Sequence, residues 1–307
     1  MVTRNYLMTW DLDKCVGCQI CPIVCPKEAL THVPAVLENN RIAVRPSVDV
    51  DEQKCVNCGM CVVTCPMHAI NLTVNGKPEI PVEIYGAFPE ILAKTIFRRE
   101  LFDFTLTDFV IENCSTNVIS YDAERDTLRI DFDHCIHCRQ CEVASQGAFE
   151  VHQPWQGSVE LHRERCVEGC FACADICPTR ALHINEQGEL VLADYYCIKC
   201  GACMQVCPIK PEYKTEEFTF EYSGMQIQRT REVLVNPDEL AIKVERWRIN
   251  HTPVSSAAWI EALRKLSDDK AAMVEIDRKN ALRRADLIKA LRGHDRTTIR
   301  PVAKKGK

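Results

Sequence analysis

Cys15-Val-Gly-Cys18-Gln-Ile-Cys21-Pro-Ile-Val-Cys25-Pro26 sets four cysteines at gaps of two, two and three residues and closes the run with a proline. The same spacing returns as Cys55, Cys58, Cys61 and Cys65 before Pro66, and as Cys197, Cys200, Cys203 and Cys207 before Pro208. Another copy, Cys166, Cys170, Cys173 and Cys177 before Pro178, carries one extra residue in its first gap. Such self-similarity governs any reading of the fold. Short alternating segments precede the copies, as at Ser47–Glu52 and Leu190–Tyr195, and short apolar ones follow, as at Ala69–Val74 and Ala181–Ile184. The pattern predicts strand, thiol loop, one or two helical turns, then strand, repeated along the chain. Units this small do not build a core from hydrocarbon alone, so an inorganic group has to complete it.

Composition narrows the chemistry. Twenty cysteines in 307 residues, with 7% aromatics and a formal charge of −5, set this chain apart from an ordinary enzyme. A disulfide framework needs an oxidising compartment, and Met1 to Trp10 has no apolar signal region. No uninterrupted apolar run approaches the roughly 20 residues that span a bilayer, so the expectation is a cytoplasmic protein with reduced thiols and no membrane insertion. Mild acidity gives no general case for nucleic acid. Four-thiolate zinc sites usually draw on two separated cysteine pairs, whereas the runs here are triplets with a remote fourth member. No G-x-G-x-x-G, Walker loop or H-E-x-x-H occurs, so no nucleotide, flavin or substrate site and no catalytic residue is expected.

The C-x2-C-x2-C-x3-C-P run resembles the bacterial two-cluster ferredoxins, in which three thiolates hold one [4Fe-4S] cluster and the fourth reaches across to the other. Carried over residue by residue, the resemblance implies clusters on Cys15, Cys18, Cys21 with Cys65, and on Cys55, Cys58, Cys61 with Cys25. It likewise implies clusters on Cys166, Cys170, Cys173 with Cys207, and on Cys197, Cys200, Cys203 with Cys177. One stretch departs from the pattern: Cys135-Ile-His-Cys138-Arg-Gln-Cys141 has Ser145 where a fourth cysteine would fall, and Cys114 stands alone upstream. Aligning Cys114–Ser120 with Cys177–His183 puts Cys114 about 20 residues before the next run, where a crossing ligand belongs. On that alignment Cys114 completes the site of Cys135, Cys138 and Cys141, and Ser145 marks the ligand of a lost cluster. The twenty cysteines then divide into five sets of four, for about 20 iron and 20 sulfide. His134 and His137 flank or lie inside this loop; they are expected to be solvated or to donate to sulfide rather than to ligate.

The expected fold class is α+β: tandem ferredoxin-like 2[4Fe-4S] modules with short β-hairpins and short helices, plus a C-terminal strand/helix extension. Residues 1–80 would form a two-cluster module, 81–155 a half-degenerate one-cluster module that bridges its neighbours, 156–213 a second two-cluster module, and 214–307 a partner-binding extension. Pro34 to Arg45 reads as a hairpin, Pro89 to Leu101 as a helix, and Thr215 to Val235 as one or two strands. Ser255 or Ser256 would cap a helix bearing Trp259, Ile260, Leu263 and Leu266; a second would run from about Asp268 to Leu291, before a basic tail from Arg296.

From Asn113 to Pro208 the chain is similar to the polyferredoxin component of tungsten/molybdenum formylmethanofuran dehydrogenase. The similarity lies in Asn113–Tyr121, Cys138–Ala148, Cys166-Val-Glu-Gly-Cys170, and again at Ser255–Leu266. It implies an anaerobic electron-transfer subunit of a complex that reduces CO2 or oxidises formylmethanofuran, in the setting of methanogenesis, whereas the count of five [4Fe-4S] clusters comes from the twenty cysteines and is smaller than is typical of that family. The partners would be other subunits of that redox complex, with soluble ferredoxin as a further one. The alternative is a polyferredoxin of another complex, such as a hydrogenase or heterodisulfide reductase, or a free electron shuttle.

Overall fold

The computed structural model of the chain describes residues 5–251 apart from 89, 211, 223, 224 and 237. The helices expected between Ser255 and Leu291, their apolar stripe and the basic tail lie outside the described residues.

The first unit is built from β1 (Tyr6–Trp10), α1 (Ile20–Val24), β2 (Leu30–Val33), β3 (Val36–Glu38), β4 (Arg41–Val44), β5 (Ser47–Val50), α2 (Met60–Thr64), β6 (Ile70–Val74), β7 (Lys77–Pro78) and α3 (Pro81–Ile84). β1 pairs antiparallel with β6, β2 with β5, and α1 packs on α2. β3 and β4 form the expected hairpin between the two halves. In the middle unit, β8 (Lys94–Phe97) pairs with β11 (Phe149–His152), and β9 (Ile119–Asp122) with β10 (Thr127–Ile130). Between them α4 (Thr107–Asn113) packs on α5 (Gln140–Ala144). The last unit contains β12 (Trp155–Leu161), α6 (Ala172–Ile176), β13 (Leu182–Ile184), β14 (Leu190–Leu192) and α7 (Ala202–Val206). Beyond it, β15 (Tyr213–Tyr222) and β16 (Met225–Leu234) make a hairpin, and β17 (Ile242–Ile249) returns to pair antiparallel with β12. These are tandem small units of mixed α and β structure, each with a pair of packed short helices flanked by short antiparallel strands.

The local rule behind the repeats is visible in the backbone. Ahead of α1, α2, α5 and α7 stands a residue in the left-handed region, namely Gln19, Gly59, Arg139 or Gly201, which swings the loop so that the third thiol opens a short helix. The helices end at Cys25, Cys65, Cys177 and Cys207, each extended at its own ψ because a proline follows. Cys114 takes the same extended conformation without a proline after it, at φ −71° and ψ 107°. Ser145 does not, with ψ near 4°.

One expectation is corrected. Pro89 to Leu101 is not a helix: Lys94–Phe97 is strand β8 and Arg99–Leu101 a single 3-10 turn. Thr95, Ile96 and Phe97 are β-branched or aromatic, and pairing with β11 buries Thr95 and lays Phe97 on Phe149, a gain that helix propensity cannot match. The outer two units also meet each other directly. The β3–β4 hairpin reaches α6 of the last unit, where Arg41 and the amide of Ile42 bond the Asp175 carboxylate and Asn40 Nδ2 donates to the Glu168 carbonyl at 3.0 Å. Beneath this seam Val16 and Met67 of the first unit, Ile136 of the middle one and Ala172, Ile176 and Ile198 of the last share one apolar core.

Candidate metal centres

Four hollows in the protein are each lined by four cysteines that come from two separated segments. Cys114 joins Cys135, Cys138 and Cys141 around about 370 Å³, a volume that includes the open mouth. Cys25 joins Cys55, Cys58 and Cys61 around about 360 Å³. Cys207 meets Cys166, Cys170 and Cys173, and Cys177 meets Cys197, Cys200 and Cys203, each around about 340 Å³. Cys15, Cys18, Cys21 and Cys65 are also neighbours: burial pushes the Cys21 thiol up, and the charges of Cys18, Cys65 and Cys15 push it further.

The remaining walls are mostly apolar. Val118, Ile119, Ile130, Ile136, Phe149 and Val151 face the hollow of Cys114. Desolvation is accordingly the largest influence on these thiols and holds Cys18, Cys58 and Cys173 up at about 12, with Cys61 and Cys203 well above their ordinary value. Four thiols gathered in so dry a space stay protonated unless a cationic group takes the protons' place. The donor set fits that role: all-sulfur quartets are soft, and iron–sulfur clusters are held by such thiolates. The thiols surround a volume instead of converging on a point. Among the described residues, no three Cys, His, Asp or Glu side chains are grouped as for a single ion.

The central hollow shows which flanking groups matter. Ser145 does not line it. This side chain, 3% exposed, accepts the Phe149 amide at 3.0 Å. Cys25 and Cys65 receive the same contact from Ala29 and Ala69, at 3.3 and 3.4 Å. The middle unit also packs aromatic rings: Phe97 stacks on Phe149 at 4.7 Å, and Phe102 meets Phe97 and Phe104 edge-on at 5.4 and 5.1 Å. His134 turns away to Asp131, its Nδ1 2.7 Å from the carboxylate. His137 lines the hollow with its Nδ1 4.0 Å from Cys135 Sγ. Burial, with His68 nearby, pulls the His137 pKa down to about 4 and keeps the ring neutral.

Four further residues at the sites carried no motif. Thr95 Oγ1 lies 3.5 Å from Cys135 Sγ and 2.9 Å from His137 Nδ1, and Ser115 Oγ lies 3.3 Å from Cys138 Sγ. Lys199 is buried, its amide 3.4 Å from Cys197 Sγ and its ammonium paired with Asp194. Arg246 donates to the carbonyls of Lys199 and Cys200. A threonine facing a thiol 40 residues downstream, or an arginine 46 residues downstream of its acceptor, has no signature in sequence spacing.

Residues 14–69 and 152–210 match the model of a 4Fe-4S dicluster domain, and residues 132–144 that of a 4Fe-4S binding domain. Over 61 residues the chain is 36% identical to the ferredoxin 7Fe of Hydrogenibacillus schlegelii, covering 20% of this chain and 76% of that protein. The chain belongs to the ferredoxin family. It is also 33% identical over 99 residues to the polyferredoxin-like subunit of the aliphatic sulfonate oxidoreductase of Pyrococcus furiosus, covering 28% of this chain and 57% of that protein. About half the length of the curated relatives first matched is spanned by this chain. In overall fold it is similar to a chain of the formate dehydrogenase–heterodisulfide reductase–formylmethanofuran dehydrogenase complex of Methanospirillum hungatei. That likeness has a TM-score of 0.63 and 22% identity and covers 87% of this chain and 86% of that one. No helix among the described residues is long and apolar enough to cross a membrane.

Proposed function

We propose that this chain is the electron-transfer subunit of a multi-subunit anaerobic oxidoreductase and holds five [4Fe-4S] groups. The proposed ligands are Cys15, Cys18, Cys21 and Cys65; Cys55, Cys58, Cys61 and Cys25; Cys135, Cys138, Cys141 and Cys114; Cys166, Cys170, Cys173 and Cys207; and Cys197, Cys200, Cys203 and Cys177. The observation that carries the reading is the recurrence of hollows lined by three thiols of one loop and a fourth from a distant segment. When bound, such a group supplies one-electron redox chemistry. The protein's own residues hold deprotonated thiolates, exclude water with aliphatic walls and aim Thr95 and Ser115 hydroxyls at sulfur, a contact that tunes potential. Electrons tunnel well only across short gaps, so sites drawn around one shared core suit a relay.

The specific complex we propose is formylmethanofuran dehydrogenase, on the likeness of Asn113–Pro208 to its polyferredoxin component. A second reading, an oxidoreductase acting on a sulfur compound, is favoured by the identity to the polyferredoxin-like chain of the sulfonate oxidoreductase. Anaerobic purification from the native cell, with subunits identified by mass spectrometry, separates the two. About 20 iron per chain and reduction by dithionite are expected. A chain that migrates alone near 34.9 kDa in native extract would sink the subunit reading and leave a mobile carrier.

A further inference from the structure

Strand β17 departs from regular pairing at one point. Gln156 opposes Arg248 and Gly157 opposes Arg246, so position 247 is the extra residue of a β-bulge. Gly157 makes this possible, because a Cβ there would stand 1.9 Å from the Glu245 carbonyl oxygen. Beside the bulge, Arg246 extends beyond its own sheet. Its Nη1 donates to the carbonyls of Lys199 and Cys200 at 2.9 and 2.8 Å, and its guanidinium carbon lies 5.6 Å from the Trp155 ring centroid. Gly201, at φ +83°, leaves room for it, since a Cβ would come within 3.1 Å of Nη1. Two glycines, a bulge and an aromatic face thus accommodate one side chain.

Its location is the seam between two quartets of different units. Cys18 of the first unit packs against the core that holds Cys200 of the last, and also against the core that holds Trp155. Lys199, the other cation of this loop, is paired with Asp194, whereas Arg246 has carbonyl partners and no carboxylate among the described residues.

We propose that Arg246 is a positioning residue for electron transfer across this seam. By clasping the Lys199–Cys200 loop beside Cys18, it places a fixed positive charge that raises the reduction potential at both quartets and locks them into a direct route between the outer units. The inference rests on the proposed function. Each passage moves one electron, the donor site being oxidised as the acceptor is reduced, with no proton transferred. Arginine suits the role because Nη1 has two N–H donors for the two carbonyls, the planar guanidinium lies near the Trp155 ring, and its charge does not titrate.

The test is a potentiometric titration of the anaerobic full-length holoprotein, followed by EPR, on wild type, Arg246→Met and Arg246→Lys. For Arg246→Met, two reduction steps should move to lower potential and the broadening between neighbouring reduced sites should weaken, with iron content unchanged. Arg246→Lys should recover most of the potential while the amides of residues 199–201 exchange hydrogen faster than in wild type. Potentials and broadening unchanged in Arg246→Met at full iron overturn the proposal, as do potentials in Arg246→Lys as low as in Arg246→Met. Loss of iron from both variants would make Arg246 a structural residue and also overturn it. A wild-type chain holding zinc, or far less than about 20 iron, would instead defeat the underlying reading of the quartets.

Discussion

Ser145 keeps one duty of a crossing cysteine and drops the other. Its hydroxyl accepts the Phe149 amide as Cys25 and Cys65 accept theirs, yet it stands outside the central hollow. Ser145→Ala should therefore leave iron content intact and destabilise the middle unit by about 1–3 kcal/mol, the usual penalty for a buried amide left without an acceptor. A lowered unfolding midpoint at full iron is the expected result, and loss of iron would make Ser145 a ligand after all. Cys114→Ala should do the reverse, removing one cluster, or about four iron. Unchanged iron there would send the search for a fourth ligand back to His137, His134 or Ser145. Thr95→Val removes a hydroxyl 3.5 Å from Cys135 Sγ at little change in volume. Hydrogen bonds to sulfur raise cluster potentials, so one reduction step should shift lower in an EPR titration while iron stays constant.

Among the elements, the most informative packing is in the middle unit, where aromatic rings gather. Phe149 is 1% exposed and ties β11 to Phe97 on β8. Phe149→Ala should cost about 3–5 kcal/mol, the range for truncating a buried aromatic. Faster hydrogen exchange should then be confined first to β8, β11 and α4. The β3–β4 hairpin is the other element with a task beyond its own unit, since its Arg41 side chain and Ile42 amide converge on Asp175 of α6. Asp175→Ala should raise exchange at the Ile42 amide and leave that of β2 and β5 untouched. Equal exchange in the variant and wild type would mean that the apolar core alone holds the seam. Neither element's role was visible beforehand. A hairpin was legible between Pro34 and Arg45, but its acceptor lies 134 residues from Arg41.

For the molecule as a whole, the shared core decides how it fails. Val16, Met67, Ile136, Ala172 and Ile198 pack together across all three units, and Cys138 and Cys200 belong to the same core. Removing iron leaves unfilled, thiol-lined hollows at the places where the units meet. Stripping the holoprotein with a chelator and an oxidant should therefore unfold the units together, in one cooperative transition by near-UV circular dichroism and limited proteolysis. Stepwise loss, with one unit surviving intact, would show that the units are independent beads.

What the sequence determined by itself was the content of each unit. Thiol spacing, a proline after the last cysteine and flanking alternation act within some twenty residues, and local sterics restrict the residue before each proline without outside help. The partnership of Cys114 with Cys135, Cys138 and Cys141 was also legible, because the repeat supplied a template for comparison. Tertiary structure alone decided the rest: that Lys94–Phe97 is a strand, that β17 closes on β12, that the outer units touch, and that Arg246 reaches the Cys200 loop. Those outcomes depend on which surfaces bury each other, and such packing favours contacts between residues whose separation along the chain leaves no periodic trace.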